Sequence, residues 1–174
     1  MKWRPMLAAL GSLAGLVGCT AGEPLRAVSA VDIQRYMGKW YEIAAYEAPF
    51  AESCTGTTAE YTLRDDGRFD VVNSCREGQL DGPVRAAIGT ARVVDAETRA
   101  KLKVSFVWPF EGDYWIIDLD PEYQWAVVGE PGRRYLWILS RTATMDEPVY
   151  QGITTRLEAQ GYDPSKLHRT LQRP

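Results

Sequence analysis

The chain is 174 residues long, carries 20 basic against 23 acidic side chains for a formal net charge of −3, and holds a single histidine. That length supports one domain with a proper core, and the acidic balance argues against a nucleic-acid partner and against polybasic attraction to anionic lipid. With one imidazole and no metal-ligand spacing around it, no metal site is expected, and no cofactor.

Lys2 and Arg4 precede residues 6–17, which are apolar apart from glycines and Ser12, and the run closes on Leu16-Val17-Gly18-Cys19. These are the basic start, apolar middle and small-residue boundary of a secretory signal. The run is too short to span a bilayer, which takes about 20 apolar residues. Its end resembles a bacterial lipobox, in which Cys19 becomes the first residue of the mature chain and carries the lipid. The competing reading is an ordinary signal peptide with an incidental cysteine. Thr20 stands where an inner-membrane retention signal typically shows Asp, which by that rule implies the outer membrane. The chain thus divides into a signal at 1–18, a lipidated tether at 19–30 and a folded domain at 31–174. Removing the signal, with its two cations and no acid, takes the formal charge to −5.

Asp32 is placed to cap a single helical turn over 32–37. From Trp40 onward, period-two stretches alternate with turn chemistry. The first strand is 40–44. In 57–63, Thr57, Ala59, Tyr61 and Leu63 share one face. Asp65-Asp66-Gly67 marks a hairpin, and 69–74 returns from it. That pairing brings Cys75 near Thr57, with Cys54 a few residues further along. An even pair in an exported chain reads first as a disulfide; a reactive thiol or a metal site are the alternatives.

Strands at 86–94 and 102–106 follow, then a loop at 108–112. Strands at 114–119, 125–129 and 135–140 are apolar on both faces, which calls for a cover on the outer side. That cover is either a homodimer partner over Trp115, Trp125 and Leu136 or the helix that follows. Val149, Ile153 and Leu157 recur at helical spacing, with Pro148 in the first turn and Gly161 as the stop. A last short strand is expected at 167–171. Eight regular strands, a helix and a terminal strand predict an all-β, eight-stranded antiparallel up-and-down barrel with the helix packed outside. An open sandwich is the competing architecture.

Three motifs in order then resemble the lipocalin family, and most closely its bacterial outer-membrane lipoprotein branch, which is apolipoprotein D-like. They are Gly38-Lys39-Trp40-Tyr41, Gly112-Asp113-Tyr114 (where the family usually has T-D-Y) and Leu139-Ser140-Arg141-Thr142. The resemblance implies that Trp40 closes the narrow end of the barrel and that Arg141 lies across its indole. Such a contact contributes about 0.5–2 kcal/mol. Gly38, Trp40 and Arg141 are therefore read as structural, and no catalytic residue is assigned.

A barrel of eight strands is just wide enough for one small ligand. Family alignment and parity place Tyr135, Trp137 and Leu139 inward, along with Tyr114, Ile116 and Val128. Lys103 and Ser105 must face out, so Leu102, Val104 and Phe106 face in, while Trp108 and Phe110 line the mouth. Glu42 shares the face of Trp40, where a carboxylate is costly unless hydrated or paired. Parity also points Asp118 inward, unless a bulge turns it out. The family implies an apolar pocket for a fatty acid or lysophospholipid at the periplasmic face of the outer membrane, in storage, transport or membrane maintenance. Two other readings are an enzyme using a thiolate at Cys54 or Cys75, and a carrier of a coloured cofactor with His168 as ligand.

Overall fold

The computed structural model describes residues 23–46, 48 and 51–173; the signal stretch and Cys19 lie outside the described residues. Asp32 caps a one-turn helix, α1 (Ile33–Tyr36), by accepting hydrogen bonds from the Gln34 and Arg35 amides at 2.9 and 3.3 Å. Eight antiparallel strands follow in up-and-down order: β1 (Gly38–Tyr46), β2 (Cys54–Leu63), β3 (Phe69–Glu77), β4 (Val84–Val93), β5 (Lys101–Val107), β6 (Phe110–Leu119), β7 (Trp125–Gly129) and β8 (Leu136–Ser140). The first strand closes the barrel by pairing on both edges. Gly38 to Tyr41 meet Tyr61 to Thr58 of β2, while Tyr41 to Ala45 meet Ser140 to Trp137 of β8. Because the strands alternate direction, the turns after β1, β3, β5 and β7 rim one end, and α1 with the other turns closes the opposite end.

Two apolar layers explain why the last three strands lack a polar face. Inside the barrel, Trp40, Phe69, Val71, Leu102, Ile116 and Val128 are buried together. Outside it, Ile43, Ile117, Val127, Leu136 and Ile138 pack beneath Tyr150, Ile153 and Leu157 of α2 (Glu147–Ala159). Neighbours such as Val127 and Val128 serve opposite layers, as period two requires. Trp115 and Trp125 pack against this second layer, so the outer cover on this face is α2.

Several boundaries differ from the sequence reading. The expected loop at 108–112 shrinks to a tight turn at Trp108 and Pro109, because β6 already begins at Phe110, opposite Val107. Asp118 faces out. The register slips between Ile116 and Asp118, and the carboxylate meets Arg156 Nε of α2 at 2.7 Å. That slip is the bulge the parity argument allowed for. Of the stretch read as a tether, Leu25 is buried in the outer apolar layer and the Val28 amide donates to the Ile116 carbonyl, so this part runs along the barrel. The terminal strand β9 (Leu167–Arg169) is shorter than expected and pairs with β1 at Ala44 to Tyr46.

Cys54 and Cys75 are joined in a disulfide across the β2–β3 pair, with their Cα atoms 5.4 Å apart. Closing a loop with a sequence separation of 21 stabilises the fold by about 3 kcal/mol in the chain-entropy picture. Reduction under native conditions is expected to lower the urea midpoint and to steepen the slope, because the freed denatured chain exposes more surface. A midpoint indifferent to reductant contradicts this.

Candidate ligand-binding site

The barrel holds a cavity of about 860 Å³ that opens at the rim formed by the β5–β6 and β7–β8 turns. It exists because one side of the barrel is built small. Thr57, Thr58 and Ala59 on β2, Ser74 on β3 and Ala86 and Ala87 on β4 line it without filling it. Gly89 continues that pattern: a Cβ there would sit 2.8 Å from the Phe106 ring, so glycine lets the ring lie against the β4 backbone. The facing wall carries the large groups, with Tyr135 and Trp137 stacked at 5.9 Å between centroids and 14° between planes.

Of the residues predicted from sequence, Glu42, Val104, Phe106, Tyr114, Tyr135, Trp137, Leu139 and Phe110 line this cavity. Leu102, Ile116 and Val128 do face the barrel interior, but they are packed in the solid layer beneath the cavity. Parity tells inside from outside and says nothing of depth, so it does not separate these three from the cavity lining. Trp108 does not reach the cavity. It stands 89% exposed on the β5–β6 turn, because a residue at the tip of a tight hairpin has no neighbouring strand to cover it. β2, β3 and β4 also line the cavity, and the shared face of Thr57, Ala59 and Tyr61 is the sequence signal for it.

The cavity floor is polar. Tyr114 Oη lies 2.7 Å from Tyr36 Oη and 2.9 Å from Tyr61 Oη. Burial raises all three phenols above their ordinary range, Tyr61 up to about 12, so they stay protonated at neutral pH. Their two mutual hydrogen bonds engage two of the three phenolic protons. Higher on the wall, Asn73 Oδ1 is buried with no hydrogen-bond partner among the described residues.

Below the tyrosines, Trp40 is fully buried and donates from Nε1 to the Tyr36 carbonyl at 2.9 Å. Arg141 lies over its indole, with Cζ 3.7 Å from the ring centroid. The same guanidinium donates to the carbonyls of Lys39 at 2.9 Å, Arg35 at 2.7 Å and Tyr123 at 3.3 Å. Gly38 suits the backbone turn beside this plug, because its φ of +90° is a conformation other residues rarely adopt.

Glu42 finds its partner 128 positions away. Thr170 Oγ1 donates to Glu42 Oε1 at 2.6 Å. Where β1 and β2 part, the C-terminal chain fills the gap. The Thr170 amide donates to the Ile43 carbonyl, and the Gly56 amide donates to the Leu171 carbonyl. Gln172 Nε2 donates to the carbonyls of both Glu42 and Thr57 at 2.8 Å. Burial raises the Glu42 carboxyl above its ordinary range, and the Thr170 bond offsets part of that. For an acid with a raised folded-state pKa, the native state is disfavoured once the group ionises. The penalty is absent below the unfolded pKa and complete above the folded one. Glu42→Gln, whose carbonyl still accepts from Thr170, is therefore expected to be more stable than the parent at pH 7. Its advantage should fade as pH falls through the carboxylate range, as chemical denaturation at a series of pH values reads directly.

Two alternative chemistries lose their residues here. Cys54 and Cys75 are bonded to each other, which leaves neither as a thiolate. His168 lies opposite Ala45 on β9, outside the barrel.

A Lipocalin-like domain matches residues 31–172 of the chain. The chain is 41% identical over 170 residues to outer membrane lipoprotein Blc of Escherichia coli (strain K12), covering 96% of each. It is 40% identical over 162 residues to temperature-induced lipocalin-1 of Arabidopsis thaliana, covering 88% of this chain and 86% of that one. Among solved structures, insecticyanin from the tobacco hornworm Manduca sexta superposes with a TM-score of 0.69 at 18% identity, covering 86% of this chain and 85% of that one.

Proposed function

This chain belongs to the lipocalin family, and from that premise we propose that it is an outer-membrane lipoprotein that holds fatty acids or lysophospholipids in its barrel. In this reading residues 1–18 are a signal, Cys19 carries the lipid, and the domain works at the periplasmic face in lipid storage, transport or membrane maintenance. The outer-membrane placement is supported by the high identity to Blc, whose name assigns it there. The observation that carries the ligand class is the cavity, whose volume of about 860 Å³ lies within the range of small-molecule sites. Val104, Phe106, Trp137 and Leu139 give it apolar walls on which each buried methylene contributes about 0.8 kcal/mol. The tyrosine hydroxyls, Asn73 and Glu42 add the few polar groups that an amphiphile needs. Nothing in this arrangement calls for bond making or breaking, and the protein acts as a carrier.

Native mass spectrometry of protein taken from its own membrane, followed by lipid extraction, tests this reading. The expected result is a bound single-chain lipid. Protein that carries none, and that leaves a fluorescent fatty-acid probe unshifted, is not a lipid carrier.

A further inference from the structure

The β5–β6 turn places three large apolar side chains side by side at the rim of the cavity. Val107, Trp108 and Phe110 are 67%, 89% and 74% exposed. Contiguous exposed apolar groups of this kind mark an interaction surface. The opposite end has no counterpart among the described residues beyond Val94.

The course of the N-terminal chain says what covers this surface. The Val31 amide donates to the Thr98 carbonyl near the closed end, and the Val28 amide donates to the Ile116 carbonyl higher up. Arg133, on the β7–β8 turn at the rim, then donates from Nη2 to the Glu23 carbonyl at 2.6 Å and from Nε to the Gln160 carbonyl at 2.7 Å. Read toward its N-terminus, the chain climbs the barrel and reaches the rim at Glu23. Cys19 lies four residues before Glu23, within about 14 Å of it even when fully extended.

We propose that the protein docks mouth-down on a lipid bilayer, with Val107, Trp108 and Phe110 seated in the headgroup region. This rests on the anchored reading given above and goes beyond it, because an acyl chain alone fixes no orientation. A lipid attached so close to Glu23 brings the rim to the bilayer surface. Tryptophan is suited to that boundary, where an apolar ring and a polar N–H meet apolar and wet surroundings. Phe110 belongs to the docking edge and to the cavity lining at once, so a ligand leaving the bilayer enters the barrel without crossing open water.

Acylated full-length protein reconstituted in phosphatidylethanolamine and phosphatidylglycerol vesicles, with a fraction of the lipid brominated on its acyl chains, tests the proposal. Flotation reports the anchor, and bromine quenching of tryptophan emission reports the docking. Five tryptophans remain after the signal is removed, and Trp108 is the most exposed of the five. Native protein should float and lose emission, and Trp108→Ser should float equally while losing a smaller quenched component. Any lipid lodged in the cavity quenches Trp137 in both proteins and cancels in the difference. Equal quenching in the two floating proteins overturns the docking and leaves the anchor standing. Native protein that does not float overturns the anchor, and the docking with it.

Discussion

Arg141→Ala is expected to lower the melting temperature by about 6–12 °C. The substitution removes a cation over an indole, contributing about 0.5–2 kcal/mol, and leaves carbonyls that had charged hydrogen-bond partners. Together these come to about 3 kcal/mol, and each kcal/mol moves the midpoint of a domain of this size by about 2–4 °C. The three accepting carbonyls belong to α1, β1 and the β6–β7 turn, so one guanidinium ties together the elements that stopper the barrel. Arg141→Lys should fall between the two. It keeps the charge near Trp40, but an ammonium cannot reproduce a planar fork reaching three carbonyls. Circular dichroism melting measures all three proteins, and an alanine variant that melts with the parent contradicts the role given to the plug.

Ala87→Trp is expected to weaken binding of a fluorescent fatty acid about 100-fold without lowering the melting temperature. Ala87 lies on the cavity side of β4, opposite Asn73, and is exposed rather than packed, so an indole there enters empty space. Displacing three or four methylenes from the walls costs about 3 kcal/mol, which is about two powers of ten in the dissociation constant. Probe titration reads the loss. Undiminished affinity in a properly melting variant places the ligand somewhere other than the barrel.

The three tyrosine hydroxyls and Asn73 bear on which way a ligand lies. A polar end at the floor would meet the Tyr61 and Tyr114 hydroxyls, and one at the rim would meet water and the docking edge. The wall of Val104, Phe106 and Leu139 between them suits an acyl chain in either orientation.

Much of this molecule is local, and the chain alone determined that part. Period two placed every barrel strand to within a few residues, Asp32 announced its cap, and Pro148 with Gly161 bracketed α2. The doubly apolar strands already required an outer cover. The motif around Trp40 and Arg141, read as a family resemblance, named the plug whose contact is 3.7 Å long. What remained for the tertiary structure were matters of depth, closure and partnership. Ile116 and Tyr114 have the same parity on one strand, yet one is sealed in the core and the other faces the cavity. The difference depends on how much volume the strands across the barrel leave unfilled. Glu42 needed a partner 128 residues away, and Asp118 needed a bulge and an arginine 38 residues away. Alternation along a strand fixes the side a residue faces because the pleat is a property of neighbouring peptides. Which distant segment arrives there, and whether it fills the space, is set only when all the strands close on one another.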